Sequence, residues 1–174
     1  MNRVEHKANG WKQKTLYVVA AVMVLLVWIG VPEFNKRRAD RLVDELCAKD
    51  GGVRVIETVA LAPGLFNAYG QPEIGFVNAE SPRSTPSPSG LGFVLDTQDI
   101  VGSHNSTEVR ALAVWRARVQ LARVNDGKIL GESVQYLRRG GDALGPWHPS
   151  SYGCPIDATE MNLAARVVQQ QSGN

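Results

Sequence analysis

The sequence is poor in the residues that most often build metal and catalytic centres. Its 174 residues hold two cysteines and three histidines, with no Cys-x-x-Cys motif and no closely spaced histidine pair. A structural zinc site needs four ligands at defined spacing, so no metal centre is predicted. The sequence also has no Gly-x-Ser-x-Gly turn, which argues against the nucleophile-elbow hydrolases. We therefore expect no cofactor, and the sequence singles out no catalytic residue.

The part of the chain that would fold has no excess of positive charge. The first 14 residues carry four Lys and Arg against one Glu, and from Glu33 onward 15 basic residues stand against 16 acidic ones. Binding to nucleic acid would require Lys and Arg gathered on the folded part. The dense basic run follows an apolar segment, so its expected partners are anionic lipid headgroups rather than nucleic acid. This run comprises Lys36, Arg37, Arg38 and Arg41.

One segment lacks charged side chains altogether. Residues 15–32 form 18 consecutive uncharged positions, with Trp11, Tyr17 and Trp28 near the two ends. At about 1.5 Å per residue, a helix of this length spans about 27 Å, close to the hydrocarbon core of a bilayer. Aromatic rings favour the membrane interface. The segment predicts a transmembrane helix, and a buried core helix is the weaker alternative because a short basic tail precedes the segment.

A cleaved signal peptide is the closer alternative to a permanent membrane helix. Its apolar core is normally about 7–15 residues long and ends at a small-x-small site, whereas no Ala-x-Ala follows this segment. We therefore predict an uncleaved signal anchor. Four Lys or Arg precede the segment and five follow it through Lys49, so the flanking charges are nearly balanced. The signal-like pattern favours a cytoplasmic N-terminus, and the two cysteines suit an oxidising compartment for the rest.

The pattern after the apolar segment predicts an α+β domain with an antiparallel hairpin in its sheet and flanking helices. An amphipathic helix is expected over 33–50, ended by Asp50-Gly51-Gly52. The runs 109–124 and 129–137 are expected to pair around a tight Asp-Gly turn, although the first run could also form a helix. The apolar stripe of the amphipathic helix comprises Ala39, Leu42, Val43, Leu46 and Cys47.

Shorter elements are expected on either side of this hairpin. Residues 53–59 and 92–96 are predicted as short strands. Asp157 and Glu160 form a capping-box pattern that predicts a last helix running through Val168 with a frayed polar end. The predicted organisation is a basic cytoplasmic tail (1–14), a transmembrane signal anchor (15–32), a juxtamembrane helix (33–50) and a periplasmic domain (51–174) with a Pro/Ser-rich loop (81–90).

The two cysteines, Cys47 and Cys154, each lie at the edge of a predicted element. In an extracytoplasmic domain a lone pair of cysteines predicts a disulfide. The alternative is two buried free thiols that pack as small apolar side chains.

The loop 138–155 is the predicted contact surface of the domain. It follows the best-defined hairpin, and a rigid scaffold is what a binding loop requires. Arginine and aromatic side chains are enriched at binding hot spots, and histidine can change charge near neutral pH. The alternative is a loop whose aromatic rings cover the hairpin edge and whose arginines are solvated. The predicted ligand or partner contacts are Arg138, Arg139, Trp147, His148 and Tyr152.

Two segments carry a resemblance. CAKDGGVRVIETV (47–59) and DGKILGESVQYLRRGGDALGPWHPSSYGCP (126–155) together resemble a family of small, membrane-anchored, uncharacterised proteins of Gram-negative bacteria. The resemblance implies a bacterial inner-membrane setting and no particular activity. We therefore expect a single-pass inner-membrane protein whose periplasmic domain has an accessory or interaction role, with a membrane or envelope protein as partner. The alternative is a small ligand-binding sensor or enzyme that uses the loop 138–155.

Overall fold

The first element of the computed structural model is one long helix, α1 (Arg3–Asp50). By length and composition, α1 can cross a membrane from Lys14 onward, and none of its most apolar 18-residue window is buried within the protein. Pro32 lies inside α1, so the predicted membrane segment and the predicted juxtamembrane helix belong to one continuous helix. Proline lacks one N–H, so a helix forgoes one backbone hydrogen bond there and can retain those of the adjacent turns. The residues described are 3–77, 87–108, 110–142 and 149–171.

The strands assemble around a central antiparallel hairpin, as predicted. Among the described residues, the main sheet has the order β1-β6-β5-β4-β3, and β7 pairs with β6 beside β1. The β5–β6 turn contains Gly127 with a φ of 68°, a conformation that glycine adopts without strain. The strands are β1 (Gly52–Val55), β2 (Val59–Leu61), β3 (Gly75–Phe76), β4 (Leu91–Val101), β5 (Ala113–Arg123), β6 (Ile129–Arg139), β7 (Ser151–Cys154) and β8 (Val168–Gln170).

The predicted strand 53–59 is divided between two sheets. Its first half is β1, which pairs antiparallel with β6, and its last residue begins β2, which pairs parallel with β8. The division falls where the backbone N–H groups of Ile56 and Glu57 both donate to the carbonyl of Leu130. The strand predicted over 92–96 is longer in the structure. It is β4, which pairs with β5 from Leu91 to Val101.

The last helix, α2 (Glu160–Val167), begins at a different cap from the predicted one. The backbone N–H of Asn162 donates to the Thr159 hydroxyl at 3.2 Å, so Thr159 is the N-cap. The predicted capping box with Asp157 as N-cap is wrong, since Asp157 lies outside the helix and accepts a bond from the Asn162 side chain through its carbonyl. The chain after α2 forms β8 rather than a frayed end, because its backbone pairs with β2; residues 172–174 lie outside the described part.

The two helices pack on opposite faces of the sheet. Ser133, whose hydroxyl donates to the Ala158 carbonyl beside α2, is followed by Val134, which packs on α1. Consecutive strand residues point to opposite faces, so α2 covers one face and residues 36–50 of α1 cover the other. The core on the α1 side contains Ala39, Val43, Cys47, Val114, Val134 and Tyr136. The core on the α2 side contains Leu91, Phe93, Leu121, Leu130, Leu163 and Val167.

Candidate functional site

The disulfide predicted from the lone cysteine pair is present. Cys47 and Cys154 are bonded through their Sγ atoms, and their Cα atoms are 5.9 Å apart, within the Cα–Cα range of disulfides. The bond joins α1 to β7 across a sequence separation of 107 residues. The helix that continues from the candidate membrane span is therefore covalently attached to the sheet. We call the contact of residues 36–50 of α1 with the sheet the junction.

Arg138 lies at the centre of the junction and is 2% exposed. Its Nε donates to Asp40 Oδ1 at 2.6 Å, and one Nη donates to the Gly140 carbonyl at 2.6 Å and the Ser150 hydroxyl at 3.0 Å. All of these partners belong to the fold itself. The prediction of Arg138 as an accessible contact residue is therefore corrected: the side chain connects β6 to α1, to Gly140 and to Ser150.

Of the other predicted contact residues, the structure describes Arg139 and Tyr152, which lie on opposite faces of the sheet. Arg139 follows Arg138 on the strand and points to the opposite face, where its Nη2 donates to the Ser106 carbonyl at 3.0 Å. Tyr152 is 38% exposed and pairs across the strands with Arg138, and its hydroxyl donates to Asp44 Oδ1 at 2.6 Å. Trp147 and His148 lie outside the described residues, as does most of the Pro/Ser-rich loop 81–90.

A row of acidic residues on α1 forms the polar part of the junction. Asp40 bonds Arg138 and Asp44 bonds Tyr152, while Asp50 accepts from the Tyr136 hydroxyl at 2.7 Å and from Arg116 at 3.0 Å. A spacing of four residues places Asp40 and Asp44 on one side of the helix, and Asp50 is its last residue. The Asp40/Asp44 spacing is the sequence signal that could have indicated the polar part of the junction.

The membrane-proximal end of the junction is closed by Asp142. Its carboxylate accepts from Lys36 Nζ at 3.1 Å and from the Ser150 N–H and hydroxyl at 2.6 and 2.8 Å. Burial raises the pKa of Asp142, but the bonds from Ser150 and Lys36 outweigh burial and hold this pKa below its usual value. The carboxylate therefore stays ionised near neutral pH and connects Ser150 to Lys36 of α1.

The tyrosines of the junction predict a loss of stability at alkaline pH. Burial, followed by the hydrogen bond to Asp50, raises the pKa of Tyr136 above its ordinary value of 10.0. The folded state thus favours the neutral phenol, and its contribution is complete below the unfolded pKa and lost as the pH rises through the folded pKa. We expect the thermal midpoint of the full chain to fall more as the pH rises above about 10 than that of Tyr136→Phe. An equal fall in the two proteins would contradict this assignment.

A groove opens beside the junction, between α1 and the ends of β4 and β5 at Val101 and Ala113. Its volume is about 480 Å³. Gly102 shapes its strand wall, because this residue has a φ of 63° and a Cβ there would collide with the Leu112 carbonyl. The close approach of the two chain segments at Gly102 places Val101 and Leu112 on the same wall. The groove is lined by Asn35, Arg38, Ala39, Arg41, Leu42, Glu45, Val101 and Leu112.

These elements define a protein with one helix long and apolar enough to cross a membrane, attached to a small disulfide-bonded α+β domain. Within the described ranges, no group of three or more His, Cys, Asp or Glu side chains is placed to hold a metal ion. No protein-family model, curated protein or solved structure matches the chain.

Proposed function

We propose that this chain is a single-pass bacterial inner-membrane protein whose periplasmic domain is a non-enzymatic interaction or accessory module. The observation that carries this proposal is the continuity of α1 from the candidate span into the junction, where the Cys47–Cys154 disulfide attaches it to the sheet. A domain attached in this way has a fixed orientation relative to its membrane helix. Tethering near a membrane partner raises the effective concentration of a binding surface without requiring a deep pocket.

The disulfide supports the periplasmic placement of the domain. Disulfides form and persist in oxidising compartments such as the bacterial periplasm, whereas cytosolic thiols are kept reduced. The resemblance of 47–59 and 126–155 to membrane-anchored proteins of Gram-negative bacteria supports the inner membrane as the location. With both cysteines on the C-terminal side of the span, the N-terminus is proposed to be cytoplasmic.

The edge of β4 is the surface proposed to receive the partner. Strand β3 pairs with β4 only at Gly92 and Phe93, and no other described strand pairs with that edge. Residues 95–101 are exposed along the whole remaining length of β4, including Leu95 at 53%. An exposed strand edge presents backbone N–H and C=O groups to an extended segment of another chain, which can add to the sheet.

A second copy of the chain is a poor occupant of this edge. Symmetric antiparallel pairing of two β4 strands requires a two-fold axis normal to the sheet. Because α1 lies along a face of the sheet, that rotation would reverse its direction in the second copy. The two candidate membrane helices would then point oppositely, which two copies inserted alike in one membrane cannot do. The proposed occupant is an extended segment of a different membrane or envelope protein.

The contacts of the polar residues in the loop 138–155 argue against the enzyme or sensor alternative. Arg138, Asp142 and Ser150 are bonded to one another or to α1, so their polar groups serve the junction. A catalytic or ligand-binding group would have to present such atoms to a pocket. Among the described residues of this loop, the geometry favours a structural role over chemistry.

The proposed orientation predicts opposite behaviour of two C-terminal fusions in bacterial cells. Alkaline phosphatase fused after Asn174 should be active, because it folds with its own disulfides outside the cytoplasm. Green fluorescent protein fused at the same position and exported by the same pathway should be dark. The reverse pair of results would refute the periplasmic placement and leave the fold unchanged.

The proposed edge interaction is tested by site-specific photo-cross-linking in intact cells. A cross-linking amino acid at Gln98, in the exposed half of β4, should give a discrete adduct with another membrane or envelope protein. The matched control is Glu160, an exposed residue at the start of α2 on the far face of the sheet. Adducts of equal yield and size at both positions, or none at Gln98, would contradict the edge as the docking surface.

A further inference from the structure

We propose that the groove between α1 and the ends of β4 and β5 binds the phosphate headgroup of an anionic phospholipid from the membrane that α1 spans. This inference rests on the membrane insertion of α1 in the proposed function. It goes beyond that function by assigning a defined lipid site to two arginines. The groove combines basic side chains on α1 with an apolar wall formed by Val101 and Leu112.

The depth of the groove along α1 matches the headgroup layer. Arg38 is six residues beyond Pro32, which places its Cα about 9 Å past the end of the apolar segment. The headgroup region adds about 5–8 Å to each side of the hydrocarbon core. Side chains on a helix lean towards its N-terminus, which for α1 is the direction of the bilayer. The guanidinium of Arg38 can therefore reach the phosphates, and Arg41 stands one turn above it.

The charge pattern separates these two arginines from the rest of the basic run. Lys36 is bonded to Asp142, and Arg37 is paired with Glu33 at 3.2 Å. In the part of the chain that the structure describes, Arg38 and Arg41 have no hydrogen-bond or salt-bridge partner, and Arg38 lies over the ring of Phe34 at 5.9 Å. The unneutralised positive charge of the run thus lies at the groove, where a phosphate monoanion could accept from both guanidinium groups.

Glu45 is the acidic residue among the groove-lining side chains. It leaves room for a phosphate at the end of the groove that faces the bilayer. It is one turn beyond Arg41 and about 20 Å past Pro32 along the helix, at the end away from the bilayer. Two guanidinium groups and one carboxylate leave a net positive lining. The apolar wall opposite α1 offers contact to the glycerol part of a lipid, a contact that inorganic phosphate in solution would not make.

The site is tested by native mass spectrometry of the full-length protein in detergent, titrated with phosphatidylglycerol or phosphatidylcholine of equal chain length. We expect phosphatidylglycerol adducts to survive activation that strips phosphatidylcholine. Each basic residue near an anionic lipid surface contributes about fivefold in affinity, so Arg38→Gln and Arg41→Gln should each lower adduct occupancy about fivefold, and the double variant more than tenfold. Arg37→Gln is the matched control and should change occupancy less than twofold. An equal loss in Arg37→Gln and Arg38→Gln would show diffuse attraction and overturn the proposal.

A groove-filling variant tests the pocket without altering its charge. Val101→Trp, at the exposed end of β4, should lower phosphatidylglycerol occupancy at least fivefold while the thermal midpoint is retained. If Val101→Trp unfolds, Asn35→Trp on the exposed face of α1 fills the bilayer end of the groove instead. Unchanged occupancy in a folded filled variant would remove the groove from the site. Because this assay needs neither a cell nor a partner protein, its failure is distinguishable from a failure of the fusion or cross-linking experiments.

Discussion

Replacing Arg138 by alanine should destabilise the domain by about 3 kcal/mol, because removing one partner of a buried ion pair leaves the other groups without compensation. Asp40 would lose its 2.6 Å bond, and the carbonyls of Gly140 and Ser150 would lose a buried donor. The lower end of the usual range applies because the Asp40 side chain is 29% exposed and water can replace part of the lost interaction. The thermal midpoint of the full chain in detergent should fall by about 10 °C.

Two further variants separate the buried role of Arg138 from the loss of a positive charge. Arg37→Ala removes a basic residue whose side chain is 70% exposed, and it should change stability by less than about 0.5 kcal/mol. Arg138→Lys keeps the charge but loses the planar fork that serves Asp40 and two carbonyls together, so it should fall between wild type and Arg138→Ala. A loss below about 1 kcal/mol for Arg138→Ala would contradict the position of this side chain in the junction.

The elements that the sequence predicted correctly are those whose signal is local. The β5–β6 hairpin follows from alternation in the first run, a second β-like run and the turn residues between them; the connection 124–128 is longer than the expected tight turn, with a positive φ at Gly127. The helix end at Asp50 follows from the two glycines after it. Predicting the disulfide required only a lone pair of cysteines and an inferred oxidising compartment, because two cysteines allow a single pairing within the chain.

The features that the sequence did not predict depend on contacts between distant segments. The pairing of β2 with β8 joins residues more than 100 positions apart, so the polar end after α2 resembled a frayed terminus. Arg138 precedes Arg139 and two glycines, a pattern typical of a solvated strand end. Arg138 is buried because α1 packs over β6. This packing places Asp40 at 2.6 Å from the guanidinium of Arg138. The groove likewise depends on a distant contact, because α1 lies opposite the wall that Val101 and Leu112 form.

Removal of the disulfide is expected to have the largest effect on stability. The Cys47→Ala/Cys154→Ala variant raises the conformational entropy of the unfolded chain, because the bond closes a loop over a sequence separation of 107 residues. The chain-entropy model gives about 4–5 kcal/mol for such a loop, and native disulfides of small domains typically contribute about 2–5 kcal/mol. The thermal midpoint should therefore fall by about 10 °C or more in the double variant. Urea unfolding of the full chain in detergent measures the same difference as a shift of the midpoint.

Reduction of the wild-type protein provides the matched comparison. After reduction verified by alkylation of both thiols, wild type should unfold close to the double variant, and the same reductant should not shift the double variant. Because the bond joins α1 to β7, its loss should also speed amide hydrogen exchange in residues 36–50 more than in the β5–β6 hairpin, whose backbone pairing is independent of it. If the doubly alkylated protein unfolds within about 1 kcal/mol of the oxidised protein, loop closure is not what the bond contributes, and the non-covalent contacts of Arg138, Asp50 and Tyr136 must hold the junction alone.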